Sequence, residues 1–553
     1  MHKLQVFVCK SRGTFQVGLL RHPHNVPGSV ILTPPLPSSH AFEAQKLWIN
    51  RFRGKLRFLW WQIAACRSDS KAVCPVPASR GQEAADAALC RLKQLLSGRI
   101  LSEQRLVSVL RQEGFWPSDI SEALDLGVYR AELRQLPGFV GGSWGRTICT
   151  RCCGENAQAV PCVLCGRSDC LLCLACRSMG EHRSCSTLIT LADTGQSTLA
   201  KRKPIQLDLD YALTAPQQQA SAELLEFWRQ GGGKALVWAA CGAGKTEVTF
   251  PLIRQALQEG GDVLFAIPRQ DIVREMIERL RSAFPGIEVA GHYGGQPWFA
   301  PGQLVVATTH QVLHFYRRFS LAVLDEVDAF PYQGNEMLRF ALERSLLPDG
   351  RLVEMTATPH SRRGYTKVIT IPARYHGHPL PEPELAAVAL PPWQTLTPSE
   401  FPAQLAAMLT HSANPWLIFA PTIVACRRLQ EVLGEVVGRP VGLCHSKADD
   451  RSQVIQDFKN GRLGIVVTTS VLERGVNFPG VDVAVLYADH ALFSVSALVQ
   501  MAGRVGRDAA SPRGRVLFIG SRISSPMKQA LAMIKSLNEE ARERGFLREE
   551  SIA

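Results

Sequence analysis

Ala239-Ala240-Cys241-Gly242-Ala243-Gly244-Lys245-Thr246-Glu247 is the stretch on which the fold turns. The apolar run Ala235-Leu236-Val237-Trp238 precedes it and a periodic segment, Glu247 to Gln258, follows. Strand, glycine-rich turn and helix are the setting a phosphate-binding loop requires. Small residues let backbone N–H groups crowd around phosphate oxygens, and a helix N-terminus adds positive potential. Residues Cys241, Gly242, Ala243, Gly244, Lys245, Thr246 and Glu247 are therefore expected to hold ATP. Within them Lys245 would reach the β/γ-phosphates and the Thr246 hydroxyl would ligate Mg²⁺. A bare glycine turn commonly only caps a helix, but here Gly-Lys-Thr is complete and correctly flanked.

Outward from the loop, apolar runs alternate with helical segments. Strands are predicted at Ala235–Trp238, Val263–Ile267, Leu304–Ala307, Leu321–Leu324 and Leu352–Met355. Uninterrupted apolar strands separated by helices imply a parallel sheet covered on both faces, with ligands at the carboxyl ends of the strands. The polar motifs fall at such ends: Pro268-Arg269, Thr308-Thr309, Asp325-Glu326-Val327-Asp328 and Thr356-Ala357-Thr358. Asp325 is expected to hold Mg²⁺ opposite Thr246, and Glu326 to orient or deprotonate the attacking water. An acidic pair after a strand is often only a helix cap; following a phosphate loop, the catalytic reading prevails. Burial of Thr356 and Thr358 between domains would couple their states.

A second α/β tract, with strands at Trp416–Ala420, Val441–Cys444, Leu463–Thr468, Val481–Tyr487 and Arg515–Ile519, has no phosphate loop. It carries Gln500-Met501-Ala502-Gly503-Arg504-Val505-Gly506-Arg507. Arg504 and Arg507, three apart, are placed on one helix face. Facing the nucleotide of the first domain, they would neutralise transition-state charge.

Upstream, nine of the sixteen cysteines fall between Cys149 and Cys185. Repeated Cys-x2-Cys turns suit tetrahedral Zn²⁺. Without Cys153 there remain Cys149, Cys152, Cys162, Cys165, Cys170, Cys173, Cys176 and Cys185, enough for two four-cysteine sites. One division joins Cys149/Cys152 to Cys162/Cys165 and Cys170/Cys173 to Cys176/Cys185; a cross-braced division is also open.

The 553 residues carry a formal net charge of +13, which favours a polyanion such as nucleic acid. Residues 1–60 hold nine Lys/Arg against one acid, Glu43. No run reaches the roughly 18 apolar residues of a membrane span, and no hydrophobic signal core opens the chain. A cytoplasmic protein is expected. Between Glu83 and Arg111 apolar residues recur at helical spacing, and Ser118 is read as the cap of a further helix. The expected organisation is a basic and helical region (1–140), a cysteine-rich zinc module (141–200), a first ATP-binding domain (201–372), a proline-rich linker (373–400) and a second domain (401–553).

From Leu213 to Ser521 the motifs resemble a superfamily 2 helicase core, whose fold is two tandem RecA-like, doubly wound parallel-sheet domains. The resemblance rests on Gln217, the phosphate loop, Asp325–Asp328, Thr356–Thr358, Phe419-Ala420-Pro421-Thr422, Thr468 through Asn477, and Gln500 through Arg507. It implies an adenine contact at Gln217, a nucleotide contact at Gly475, coupling through Gln500, and DNA contacts at Arg269, Thr309, Thr422, Thr468 and Thr469. Within that group Asp-Glu-Val-Asp-Ala-Phe-Pro at 325–331, Pro268–Asp271 and the adjoining cysteine module are similar to the ComFA family of late-competence ATPases in transformable Gram-positive bacteria. That likeness implies a DNA-stimulated ATPase translocating on single-stranded DNA at the inner face of the membrane. Its implied partners are ComFC, DprA and the ComEC channel. Two rival readings stand: a replication-restart helicase of the PriA type, and a zinc-dependent DNA-binding adaptor whose ATPase is vestigial. The PriA-type acidic motif normally ends in histidine, where this chain has Asp328.

Overall fold

The computed structural model describes the backbone of residues 3–11, 14–20, 30–31 and 36–37, and residues 80–548 except 143–145, 193–203, 295–300, 360, 475 and 477. Gly475 and most of the basic N-terminal run lie outside the described residues. Val6–Val8 falls inside the strand Lys3–Ser11.

The first lobe is a seven-stranded sheet of β1 (Lys234–Ala239), β2 (Asp262–Ile267), β3 (Val289–His292), β4 (Leu304–Thr308), β5 (Phe319–Leu324), β6 (Leu346–Thr356) and β7 (Lys367–Ile371). Their order is β3-β4-β2-β5-β6-β1-β7, with parallel neighbours throughout. Alternate residues feed two cores because successive side chains leave a strand on opposite faces. Leu321 and Val323 of β5 join Leu224 and Phe227 of helix Ala215–Gln230. Ala322 and Leu324 join Leu338 and Leu342 of helix Glu336–Ser345. Each fully buried aliphatic or phenylalanine side chain contributes about 1.5–3 kcal/mol relative to exposure.

The second lobe has β8 (Glu384–Ala387), β9 (Trp416–Phe419), β10 (Gly442–Cys444), β11 (Ile465–Thr468), β12 (Asp482–Leu486) and β13 (Val516–Gly520), all parallel in the order β8-β13-β12-β9-β11-β10. β8 lies within the proline-rich stretch 373–400 and pairs with β13 as the sheet's edge. That stretch is thus partly second-lobe structure.

Ahead of the lobes, helices Arg80–Leu96, Glu103–Gln112 and Pro117–Tyr129 share one apolar core. The helical period read from Glu83 to Arg111 is broken by the strand Ile100–Ser102. Ser118 is not the cap: Pro117 already occupies the first turn, Trp116 is the capping position, and the Ser118 hydroxyl donates to Asp119 (3.2 Å). Strand Thr187–Leu191 pairs antiparallel with both Ile100–Ser102 and Leu133–Pro137. The cysteine module is therefore an insertion between two neighbouring strands. Arg344 fastens it to the first lobe, its Nη1 donating to the carbonyls of Thr150 (3.3 Å) and Arg151 (2.7 Å). Among the described residues no helix is long and apolar enough to cross a membrane.

Candidate active site and cysteine centres

β5, β6 and β1 are adjacent, so the turns that follow them meet at one edge of the sheet. Lys245 Nζ stands 2.7 Å from Asp325 Oδ1, which also accepts from the Glu326 amide (2.8 Å). Burial opposes the Lys245 charge, and the carboxylates of Asp325 and Glu326 outweigh it, holding the ammonium above its ordinary range. Gly244 has φ +73°, and a Cβ there would stand 2.2 Å from Gln217 Nε2. Glycine is thus what lets Gln217 lie against the loop. The helix after the loop begins later than its sequence period suggests, with a 3-10 turn at Glu247–Thr249 before α-helix Phe250–Gln258.

The loop lines a cavity of about 310 Å³ that the second lobe closes with Arg474, Gln500, Arg504 and Arg507. Cys241 Sγ donates to Gln500 Oε1 (3.5 Å) across the lobes. A Cβ on Gly503 would fall 2.4 Å from Cys241 Cβ, so glycine permits this approach. The helix carrying Gln500 ends at Ala502. Arg504 and Arg507 therefore leave it in turns and do not share a helix face as the spacing suggested, the backbone turning at Gly506 with φ +64°. Arg504 donates from Nε to Glu473 O (3.0 Å) and from Nη1 to Val476 O, while Nη2 is buried without a hydrogen-bond partner. Arg507 is half-buried, with Nε on Gly503 O (2.9 Å).

Asp328 is where the lobes are joined. Its Oδ1 accepts from Thr356 Oγ1 (2.8 Å), and its Oδ2 from Thr358 Oγ1 (2.8 Å), Ser496 Oγ (2.5 Å) and Arg474 Nη2 (2.6 Å). Arg474 also pairs with Glu326 (3.2 Å). Burial works against the Asp328 charge, and Arg474 outweighs it, bringing the carboxyl down to about 2. Sequence reasoning assigned no role to Arg474, Ser496 or Asp328. Arg474 and Asp328 lie inside motifs that were quoted, so a buried charge in each was the available signal.

Of the residues assigned to DNA, Arg269 is half-buried and paired with Asp271 (2.7 Å). Thr309 is buried, its Oγ1 without a partner among the described residues. Thr422 Oγ1 caps helix Ile423–Val437 through the Ala425 amide (3.1 Å). Thr468 is fully buried and donates inward to Cys444 O (2.8 Å), so its hydroxyl does not face a strand of nucleic acid. Thr469 is half-buried at the start of the next turn. Gln217, expected to read adenine, has Nε2 on Ala243 O (2.9 Å) and Oε1 on the Thr214 amide (2.9 Å).

The eight cysteines gather as Cys149/Cys152/Cys173/Cys176 and Cys162/Cys165/Cys170/Cys185. This interleaved set replaces the sequential division. Cys170 and Cys173 stand three apart on one strand, so their side chains leave it on opposite faces and enter different clusters. Tetrahedral Zn²⁺ with Zn–S near 2.3 Å sets sulfurs about 3.8 Å apart. The separations are 3.9 Å (Cys149–Cys176), 3.5 Å (Cys152–Cys173) and 3.8 Å (Cys162–Cys185), which fit. Arg151 donates from Nε and Nη2 to Cys176 Sγ (3.2 and 3.0 Å), as expected beside a thiolate. Cys153, with φ +60°, is exposed and belongs to neither cluster.

Two family models match: a Type III restriction enzyme res subunit over residues 210–361 and a helicase conserved C-terminal domain over 400–509. The competence protein ComFA of Bacillus subtilis is 34% identical over 382 residues, covering 67% of this chain and 81% of that protein. ComFA of Streptococcus pneumoniae is 38% identical over 322 residues, covering 55% and 73%. Among solved structures, the Mycobacterium smegmatis helicase Lhr bound to ssDNA and AMP-PNP matches at 19% identity with a TM-score of 0.42, over 59% of this chain and 50% of that one. Identity above a third across four-fifths of the Bacillus protein shows more than a shared motor core, and this chain belongs to the ComFA family of competence proteins, ATP-hydrolysing members of helicase superfamily 2.

Proposed function

We propose that the chain is a DNA-stimulated ATPase that walks along single-stranded DNA and drives its uptake during natural competence. The observation that supports this most is the inter-lobe pairing of Arg474 with Glu326 and Asp328. ATP would sit with its phosphates on the amides of Gly242–Thr246 and on Lys245. When bound, Mg²⁺, held by Thr246 and Asp325, would neutralise charge between the β- and γ-phosphates. Glu326 would accept the proton of the attacking water at its carboxylate, and Arg507, with Nη2 of Arg504, would meet the charge that develops on the γ-phosphate.

Stimulation by DNA has a physical route. Glu326 is held by Arg474, and Arg474 stands five residues after Thr469, a candidate DNA contact. A strand gripped at Thr469 and Arg269 would displace Arg474 and free the Glu326 carboxylate for water. Contacts through hydroxyls and backbone donors grip phosphates without reading bases, as tracking along any sequence requires. Family membership adds ComFC, DprA and the ComEC channel as expected partners and the inner face of the membrane as the place of work. The cysteine tetrads would each hold one Zn²⁺, which when bound supplies cross-linking of the module.

The test is steady-state ATP hydrolysis with and without single-stranded and duplex DNA, beside unwinding of a forked duplex. At least tenfold stimulation by single strands, without unwinding, is expected. Hydrolysis indifferent to DNA sinks the translocase, and efficient fork unwinding favours the restart helicase.

A further inference from the structure

The segment joining the lobes supplies a wall of the nucleotide cavity that no sequence motif announced. It leaves β7 at Ile371, whose carbonyl accepts from the Ala240 amide (2.8 Å), and runs along the phosphate loop. Arg374 is 1% exposed, its Nε on Cys241 O (3.0 Å) and its Nη1 on Gly506 O (2.5 Å). His376 is 3% exposed and its Nε2 lies 3.1 Å from the same Gly506 carbonyl. The two inward side chains fix the backbone between them, and the Tyr375 amide lies 3.4 Å from Gly242 O. Tyr375 itself turns outward: 45% of its surface is exposed, and it lines the 310 Å³ cavity. Its ring meets His376 edge-on, centroids 4.9 Å apart at 67°, so one face stays uncovered by that neighbour.

The remaining lining explains where phosphate goes and leaves the base without a seat. Loop amides, Lys245, Arg474, Arg504 and Arg507 are polar or cationic groups suited to phosphate. Among the described residues Tyr375 is the sole aromatic on the wall. Gln217 is not on it, and both ends of its amide are already bonded. A purine needs a flat, polarisable surface; Tyr375 offers the one aromatic ring, while the planar guanidinium of Arg279, also on the wall, is engaged by Glu247. We infer that Tyr375 is the stacking platform for the nucleobase, and that this chain holds its triphosphate's base by stacking on the inter-lobe segment more than by edge-reading at Gln217. Stacking is indifferent to which groups line the base edge, so ATP and GTP are held by the same surface. The inference rests on the nucleotide occupying the phosphate loop.

The test uses the full chain with single-stranded DNA. Tyr375→Ala raises the KM for ATP about three- to tenfold with kcat within about twofold, and Tyr375→Phe restores it. The KM for GTP rises by the same factor. Inorganic tripolyphosphate, which has no base, inhibits wild type and Tyr375→Ala with equal Ki. An unchanged KM, a fall in kcat alone, or an equal loss of tripolyphosphate affinity each overturns the inference, the last two because they make Tyr375 a prop of the loop. Lys245→Ala run in parallel separates the levels. Surviving turnover in that variant removes the nucleotide seat itself, whereas an unaffected Tyr375→Ala beside a dead Lys245→Ala removes Tyr375 alone.

Discussion

The two walls of the cleft are built on different principles. The first-lobe wall is backbone amides and short side chains on turns at adjacent strand ends, and its charges, Lys245 and Asp325, satisfy each other at 2.7 Å. The second-lobe wall is three arginines, two of them anchored largely to carbonyls of their own lobe and the third, Arg474, reaching across. A wall of fixed amides binds whatever phosphate arrives. A wall of arginines on a separate lobe acts only when the lobes are in register, which makes it the part that can be switched.

The sharpest way to break that contrast is to change one group on each side. Glu326→Gln keeps the amide wall and removes the base, so kcat falls about 10²–10⁴-fold while ATP binding, read by equilibrium titration, stays within about threefold. Arg507→Ala is expected to lower kcat about 10²–10³-fold with an unchanged melting temperature. Arg504→Ala should lose activity and stability together. Its guanidinium holds the Glu473 and Val476 carbonyls inside the lobe, and stranding buried acceptors costs about 1–3 kcal/mol. Should Arg504→Ala melt like wild type, the second wall would be mere surface charge and the contrast would fail.

How far the walls could be read beforehand follows the same division. Each part of the first wall is a short local motif: the loop, the acidic pair and the threonines each follow an apolar run, so alternation placed them all. The second wall is made by contacts between segments far apart in the chain, and no period in one segment reports them. The three-residue spacing of Arg504 and Arg507 puts them on one helix face, yet Gly503 closes the helix and Gly506 takes a positive φ. β8, Glu384–Ala387, escaped notice because prolines flank it and it has no β-branched residue. Thr468 shows the opposite error: a hydroxyl at a strand end reads as a contact until the fold turns it inward.

The cysteine clusters repeat the contrast at smaller scale. Cys149, Cys152, Cys173 and Cys176 are at most 1% exposed and share a core with Phe315, Met337 and Leu342 of the first lobe. In the other cluster Cys165 and Cys185 are half-exposed, and the adjoining Val163 is 98% exposed. With one Zn²⁺ in each tetrad, as proposed, Cys176→Ser should therefore drop bound zinc from two to one per chain and lower the lobe's melting temperature by several degrees. Cys165→Ser should drop zinc equally with the melting temperature and ATP turnover unchanged. Metal analysis with calorimetry checks both. Equal melting in the two variants would make the clusters equivalent.

The smallest expected effect concerns the contact that holds the walls together. Asp328 titrates near 2 in the folded chain against an ordinary 3.8. A carboxyl so depressed stabilises the fold fully above the ordinary value and ceases to as pH falls from about 4 to 2, because the unfolded chain takes up the proton first. The shift corresponds to about 2 kcal/mol at neutral pH. Asp328→Asn cannot titrate, yet it keeps an oxygen that accepts from Thr356 or Thr358. The stability gap between wild type and Asp328→Asn, measured by denaturant unfolding at stepped pH, should be widest above pH 5 and shrink towards pH 2. A gap that does not change with pH would mean that Arg474 favours the Asp328 charge no more than water does. At Asp328 the lobes would then meet only through neutral hydrogen bonds such as that of Thr358 to Ser496, and the ionic hold of the second wall on the first would rest on the pairing of Arg474 with Glu326.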